Sequence, residues 1–340
     1  MKNYILQDEN AVYFECGYSC DNVIFISISG DNYFITDARY EIEAKLIARN
    51  CEVVITNDLI EQSKKILKNS KIKKLHFDPN DFSLFTYEKL KDGLKLQFIQ
   101  KPYFSKQKRI IKSDQEVKLI KKAMKLGRKG FKRFSDYLKK DGLNKSEKYL
   151  FFKAKECMSN HGQLELSFDP IVAINKNSAK PHALPTNKIL SKNDLLLVDA
   201  GVKYQRYCSD RTCCTSFHPN LNFKREQKFP TKFEQKIYDL VLKAQQNAIL
   251  KAKVGMKASQ IDKLARDVIE KAGYGKYFVH STGHGVGLDI HEYPNINSRN
   301  DTVLENNMVF TVEPGIYLNG KFGVRIEDTV VMKNGRAEIL

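Results

Sequence analysis

Four carboxylates in the C-terminal half of the chain stand where carboxylates are costly, inside otherwise apolar stretches. They are Asp199 in LLLVDAGV, Asp210 in YCSDRTCC, Glu313 in VFTVEPGIY and Glu327 in GVRIEDTVV. Three histidines, His280, His284 and His291, fall within twelve residues between the two acidic pairs, in VHSTGHGVGLDIHEYP. Carboxylate oxygens with an imidazole make a hard, oxygen-rich donor set that suits Mn²⁺ or a similar divalent ion better than a thiolate zinc site would. The four-residue spacing of His280 and His284 would match a zinc-protease helix, but Gly283, Gly285 and Gly287 oppose a helix and the accompanying Glu is missing. Glycines there instead let backbone approach a buried site closely.

The acids must be positioned by strands. With a turn at Tyr204-Gln205, Lys203 pairs with Arg206, Val202 with Tyr207, and Asp199 falls directly opposite Asp210. Facing Cβ atoms in such a pair are about 4.5–5.5 Å apart, and two like charges so placed are destabilising unless a cation lies between them. In the second segment a three-residue loop, Asn319-Gly320-Lys321, pairs Leu318 with Phe322 and brings Glu313 opposite Glu327. Glycine in that loop suits the left-handed conformation it requires.

Residues 1–100 alternate short strands (Val23 to Ile28, Tyr33 to Thr36, Val53 to Thr56, Lys74 to Phe77) with helices (Glu41 to Arg49, Leu59 to Lys68), the pattern of a small α/β domain. A linker near Lys101-Pro102 leads into a basic helix. Ser113 and Glu116 form its capping box, and Val117, Ile120, Met124, Gly127, Phe131, Phe134 and Leu138 its apolar stripe. Further helices are expected over Lys145 to Asn160, Phe233 to Lys253 and Ala258 to Ala272. The formal net charge is +17, and residues 101–140 hold 15 Lys/Arg against three acids, so +12 of it is local. That excess reads as the solvated face of one docked helix, and nucleic acid is not expected as a partner, since no recognition motif accompanies it. No apolar run approaches the ~20 residues of a membrane span. The N-terminal MKNYILQDENAVYF lacks the apolar core of a signal peptide, and seven scattered cysteines fit reduced thiols. The expectation is a cytoplasmic two-domain protein.

In order and context, these residues resemble the Xaa-Pro aminopeptidase and prolidase family of dinuclear metallopeptidases. The motifs are VDAG, SDRT, GHGVGLDIHEYP, VEPGIY and VRIEDTVV, joined by SFDPIVAINKNSAKPHALPT and FITDARYEIEAK. The resemblance implies an α/β N-terminal domain over residues 1–110. It also implies an α+β pita-bread catalytic domain with a curved antiparallel sheet over 111–340. Asp199, Asp210, His284, Glu313 and Glu327 would then hold two divalent ions, Mn²⁺ foremost, with Co²⁺ or Zn²⁺ as alternatives. Asp210 and Glu327 would bridge them. Glu313 would also shuttle protons during attack of activated water on the carbonyl before proline. His280 and His291 are the candidate oxyanion partners, His182 shapes the proline-side pocket, and Arg325 orients a ligand carboxylate. Methionine aminopeptidases share the metal set but lack the N-terminal domain and this Arg two residues before the last ligand. The implied function is an exopeptidase of the aminopeptidase P type, a homodimer acting on proline-containing peptides. The alternatives are a prolidase confined to Xaa-Pro dipeptides and, in another class, a non-catalytic basic binding protein on the same scaffold.

Overall fold

The computed structural model describes residues 2–340. The chain folds as two compact units, one ending at Arg109 and the other running from Ile110 to Leu340.

The first unit is built on a six-stranded mixed sheet. Its strands are β1 (Asn3–Leu6), β2 (Val23–Ile28), β3 (Asp31–Thr36), β4 (Glu52–Ile55), β5 (Lys74–Phe77) and β6 (Gln97–Gln100), in the order β4-β3-β2-β1-β5-β6. Helices α1 (Glu9–Cys16), α2 (Glu41–Ile47), α3 (Leu59–Asn69), α4 (Leu84–Lys91) and α5 (Phe104–Lys108) complete it. Strand β2 is buried along its whole length. Its side chains divide between two apolar clusters, with Val23 and Phe25 in one and Ile24, Ile26 and Ile28 in the other. A strand covered on both faces reads as a continuous apolar run.

The second unit opens with α6 (Asp114–Asp141), which carries the basic run. Ser113 caps it reciprocally with Glu116, and Ile120, Met124, Gly127, Phe131, Phe134 and Leu138 are buried. The lysines lie opposite that stripe, as an amphipathic helix docked on a core requires. Helices α7 (Glu147–Met158), α8 (Lys232–Lys251) and α9 (Ala258–Lys271) pack with antiparallel strands. One sheet has the order β11-β8-β7, from β7 (Ile171–Ile174), β8 (Leu195–Ala200) and β11 (Arg211–Ser216), with the small hairpin β9 (Lys203–Tyr204) and β10 (Tyr207–Cys208) between the last two. A five-stranded sheet combines β12 (Gly283–Gly285), β13 (Glu292–Ile296), β14 (Val309–Val312), β17 (Asp328–Lys333) and β18 (Arg336–Ile339) in the order β13-β12-β14-β17-β18. Strands β15 (Gly315–Leu318) and β16 (Phe322–Arg325) form a separate ladder. Among the described residues no helix is long and apolar enough to cross a membrane.

The first acidic hairpin differs from the sequence expectation. Tyr204 pairs with Tyr207, and Asp199 lies opposite Thr212 rather than Asp210. The turn residues are Gln205 and Arg206, both at positive φ (47° and 71°), the conformation whose twist matches a two-residue hairpin. Asp210 therefore sits outside the ladder, diagonal to Asp199. The second hairpin has the expected register, with Leu318 opposite Phe322 around Gly320 at φ 72°.

Candidate metal centre

The two ladders of the second hairpin explain how its acids leave the sheet. Val312 pairs with Asp328 and, past a break, Gly315 pairs with Arg325 in the same register, so Glu313 and Glu327 lie across from each other at the break. Pro314 has no N–H to continue the ladder there. The freed backbone turns elsewhere: Glu313 N–H donates to Thr282 and Glu327 N–H to Thr212, at 2.8 and 3.1 Å. His284 arrives on β12, threaded between β13 and β14. A Cβ on Gly283 would stand 1.9 Å from the Thr311 carbonyl, and one on Gly285 2.2 Å from that of Tyr293. Only glycine permits that approach, so the residues flanking the histidine are dictated by backbone packing.

All nine sequence-predicted residues line one cavity of about 430 Å³: Asp199, Asp210, Glu313, Glu327, Arg325 and His182, His280, His284, His291. Asp210, His284 and Glu327 each bring a ligand atom within 4.8 Å of the others. His284 Nε2 lies 3.5 Å from Asp210 and 3.3 Å from Glu313. Its Nδ1 is 3.0 Å from the Gly285 carbonyl. A carbonyl only accepts, so the proton sits on Nδ1 and the Nε2 lone pair faces the acids.

Without a cation this arrangement is electrostatically unfavourable. Burial, then repulsion from Glu327, Asp199 and Glu313, pushes the Asp210 carboxyl well above its usual range. Burial, with Glu313 and Asp199, does the same to Glu327. Glu313 is raised to about 7, chiefly by burial, and burial lowers His284. Asp199 Oδ1 and Glu327 Oε1 are buried with no hydrogen-bond partner among the described residues. Buried polar atoms are normally paired, and a divalent ion would satisfy both oxygens and offset the repulsion. The donor set thus fits metal.

Residues outside the ligand set hold it in place. Arg325 is only 3% exposed. Its Nη2 donates to Asp199 at 2.7 Å, Nε to Thr212 at 3.0 Å, and Nη1 to the Pro181 carbonyl and the Tyr317 hydroxyl at 3.1 and 2.8 Å. The Thr212 hydroxyl in turn donates to Glu327 at 2.7 Å, and that of Thr311 to Glu313 at 3.1 Å. Thr212, Thr311 and Tyr317 are polar partners the sequence reading missed; Thr212 and Thr311 each lie two residues from a ligand along a strand, whereas Tyr317 stands four residues after Glu313 and reaches Arg325 only across the fold.

His280 departs from its expected role. Its Nδ1 meets the Ser281 carbonyl at 2.7 Å and its Nε2 the Tyr317 hydroxyl at 2.8 Å. Burial lowers its pKa to about 4. The imidazole is neutral with its proton on Nδ1, leaving no ring N–H for an oxyanion. His291 and His182 are at the exposed side of the cavity, His291 edge-on to His284 with ring centroids 4.3 Å apart. Cys208, Cys213 and Cys214 are core residues, with burial pushing each thiol up to about 12.

The loops bearing these histidines rest on buried acids. Asp262 of α9 accepts from Thr282 Oγ1 at 2.7 Å, and is paired with Arg266, which also donates to the His280 carbonyl at 3.0 Å. Glu292, beside His291, forms a buried ion pair with Lys112 at 2.7 Å.

A curved antiparallel scaffold presenting a buried carboxylate–imidazole cluster defines a metallohydrolase-type centre. A model of metallopeptidase family M24 matches residues 118–334, and the chain belongs to that family, with its pita-bread fold. Uncharacterized peptidases of Staphylococcus aureus are 40% identical over 235 residues; the match covers 69% of this chain and 63% of theirs, less than two thirds of those relatives' length. The Xaa-Pro dipeptidase from Bacillus anthracis superposes with a TM-score of 0.90 at 32% identity, over 99% of this chain and 92% of that one. The X-Pro aminopeptidase from Thermotoga maritima MSB8 gives 0.87 at 32%, over 100% and 95%.

Proposed function

We propose that this protein is a metal-dependent Xaa-Pro peptidase with dipeptides as its preferred substrates. The observation that carries the reading is the buried acid cluster with two orphaned oxygens, set in a cavity walled by Phe168, Ile171, Pro181, His182 and Ile290. The likeness to the Bacillus anthracis dipeptidase over nearly the whole chain favours dipeptides. The comparable likeness to the Thermotoga aminopeptidase keeps longer peptides as a second reading.

Asp199, Asp210, His284, Glu313 and Glu327 would hold two divalent ions, with Mn²⁺ favoured by the oxygen-rich set and Co²⁺ or Zn²⁺ as alternatives. Bound there, such ions polarise a carbonyl and lower the pKa of water, which is the chemistry amide hydrolysis requires. Around that centre Arg325 fixes the direction of Asp199, and Thr212 that of Glu327. Glu313, anchored at one oxygen by Thr311, keeps the other for proton transfer. His291 is the imidazole that faces a developing oxyanion. His182 and the apolar wall receive the proline ring. A homodimer in the cytoplasm, with no nucleic-acid partner, belongs to the same reading.

The test is hydrolysis of Ala-Pro and of Arg-Pro-Pro by protein loaded with Mn²⁺, with metal content measured in parallel. Ala-Pro cleavage with a clearly higher kcat/KM supports the dipeptidase; the reverse order supports the aminopeptidase. A protein that binds metal yet cleaves neither, and is retained on heparin in a salt-sensitive manner, would establish the binding-protein alternative.

A further inference from the structure

Glu147 is fully buried, lies outside the metal set and has no role in the chemistry above. It is the first residue of α7, where the helix N-terminus favours negative charge. Its carboxylate has no ion pair among the described residues; every hydrogen bond it accepts comes from one stretch, residues 174–186. Oε1 takes the Ile174 N–H at 2.6 Å, while Oε2 takes Asn177 Nδ2 at 2.9 Å, the Thr186 N–H at 2.7 Å and the Thr186 hydroxyl. These donors close the stretch into a loop around one acid. Asn177 also donates to the Leu184 carbonyl at 2.9 Å within it.

The far side of this loop is cavity wall. Pro181 and His182 line the cavity, and the Pro181 carbonyl accepts from Arg325, the residue that fixes Asp199. Ser178 joins the loop to the second acidic hairpin, its hydroxyl accepting from the Gly323 N–H at 2.8 Å and donating within the loop to the Asn175 carbonyl at 2.7 Å. We propose that Glu147 is a positioning residue for the substrate-binding wall, setting the place of His182 and Pro181 from behind through its four hydrogen bonds. The inference rests on the Xaa-Pro reading for what the wall binds, but not for the loop's dependence on Glu147.

A carboxylate is required rather than any polar group. Four donors converge on two oxygens, whereas an amide offers one acceptor oxygen and an NH₂ that would oppose Ile174 N–H or the three donors at Oε2. Buried donors left unpaired lose most of what held them. Glu147→Gln is therefore nearly isosteric yet breaks the cradle.

The experiment compares Glu147→Gln, His182→Ala and the double variant in Mn²⁺-loaded protein on Ala-Pro. It also follows hydrogen exchange of the loop amides in the metal-free protein. Glu147→Gln should lower kcat/KM about 10–100-fold, the range for residues that orient a site from behind, and do so mainly through KM with metal content unchanged. Its effect should shrink to about 3-fold or less in the His182→Ala background, because coupled positions are not additive. Exchange should accelerate at least ~10-fold within 174–186, including Ile174 and Thr186, and not at 283–285. Should Glu147→Gln not fold, Thr186→Val removes one of the four donors, together with an acceptor for the Lys188 N–H just outside the loop, and should move KM and loop exchange in the same direction by less. The proposal is overturned by unchanged loop exchange, by independent multiplication of the two substitutions, or by a defect entirely in metal content. If wild-type protein cleaves no Xaa-Pro peptide while loop exchange responds as stated, the positioning role stands and the functional reading fails.

Discussion

The two acidic hairpins solve one problem in different ways. Each must deliver a carboxylate to the tight group around His284, Asp210 from the first and Glu327 from the second. The second does so by interrupting a ladder without changing its register, so its two acids stay opposite each other. The first uses a turn of two non-glycine residues at positive φ and sets Asp199 opposite a threonine, with Asp210 beyond the end of the strand. Symmetry in the sequence, two acids per hairpin, thus becomes asymmetry in space. Arg325 of the second hairpin bonds to Asp199 of the first and is the fastener between them.

The largest effect should come from removing either inner acid. Asp210→Ala and Glu327→Ala should each abolish tight metal binding and lower Ala-Pro hydrolysis by on the order of 10³-fold or more, as read by metal analysis and initial rates. Unequal losses would mean that one hairpin dominates the centre. Next comes the fastener: Arg325→Lys keeps the charge but loses the planar fork that reaches four partners. It should cost about 10–100-fold in metal affinity or rate, measured by metal titration.

The third effect concerns pH in the metal-free protein. The raised Glu313 pKa, from an ordinary 4.5 to about 7, means that the folded state binds more protons than the unfolded state in that window. Stability should therefore fall as pH rises from about 4.5 to 7. At about 2–4 °C of Tm per kcal/mol for a unit of this size, a drop of several degrees is expected in calorimetry. Mn²⁺ should remove it, since the cation favours the ionised carboxylate. A Tm that rises over this range without metal would contradict the crowding of the four acids.

The smallest effects lie at the turns and should differ in sign. Gly320→Ala, at φ 72°, should destabilise by about 1 kcal/mol or more, while Gln205→Asn, at φ 47°, should stabilise by a few tenths. Paired thermal melts would detect both.

That contrast also shows what was legible in the sequence. Gly320 marked its loop, and the pairing of Leu318 with Phe322 follows from it. Gln205-Arg206 carries no turn signal, so the expected register of the first hairpin differs from the observed one by two residues although both of its acids were recognised. Long amphipathic elements were readable because their caps and stripes are local: Ser113 and Glu116 open α6 as the capping box implies. Strand β1, at the interior of the first sheet, is four residues long and made by pairing with distant β2 and β5, which no local pattern discloses. The nine residues that line the cavity were legible by type and motif, but the partners that aim them were not. Thr212 and Tyr317 look like ordinary strand residues until the fold sets them beside Arg325. The engagement of His280 Nε2 depends on that same unseen tyrosine, while Nδ1 turns to the neighbouring Ser281 carbonyl.

The guanidinium of Arg325 also sets the electroneutrality of the cavity. Four carboxylates against one fixed cation leave the walls with a formal deficit of three charges. A single divalent ion would leave one negative charge unmatched, and two would overshoot by one positive charge. On the peptidase reading, a dipeptide enters as a zwitterion of zero net charge, so the residual positive charge would orient its carboxylate rather than be neutralised by it. A permanently charged side chain that holds Asp199 from the cavity wall would in this way help set the charge the substrate meets.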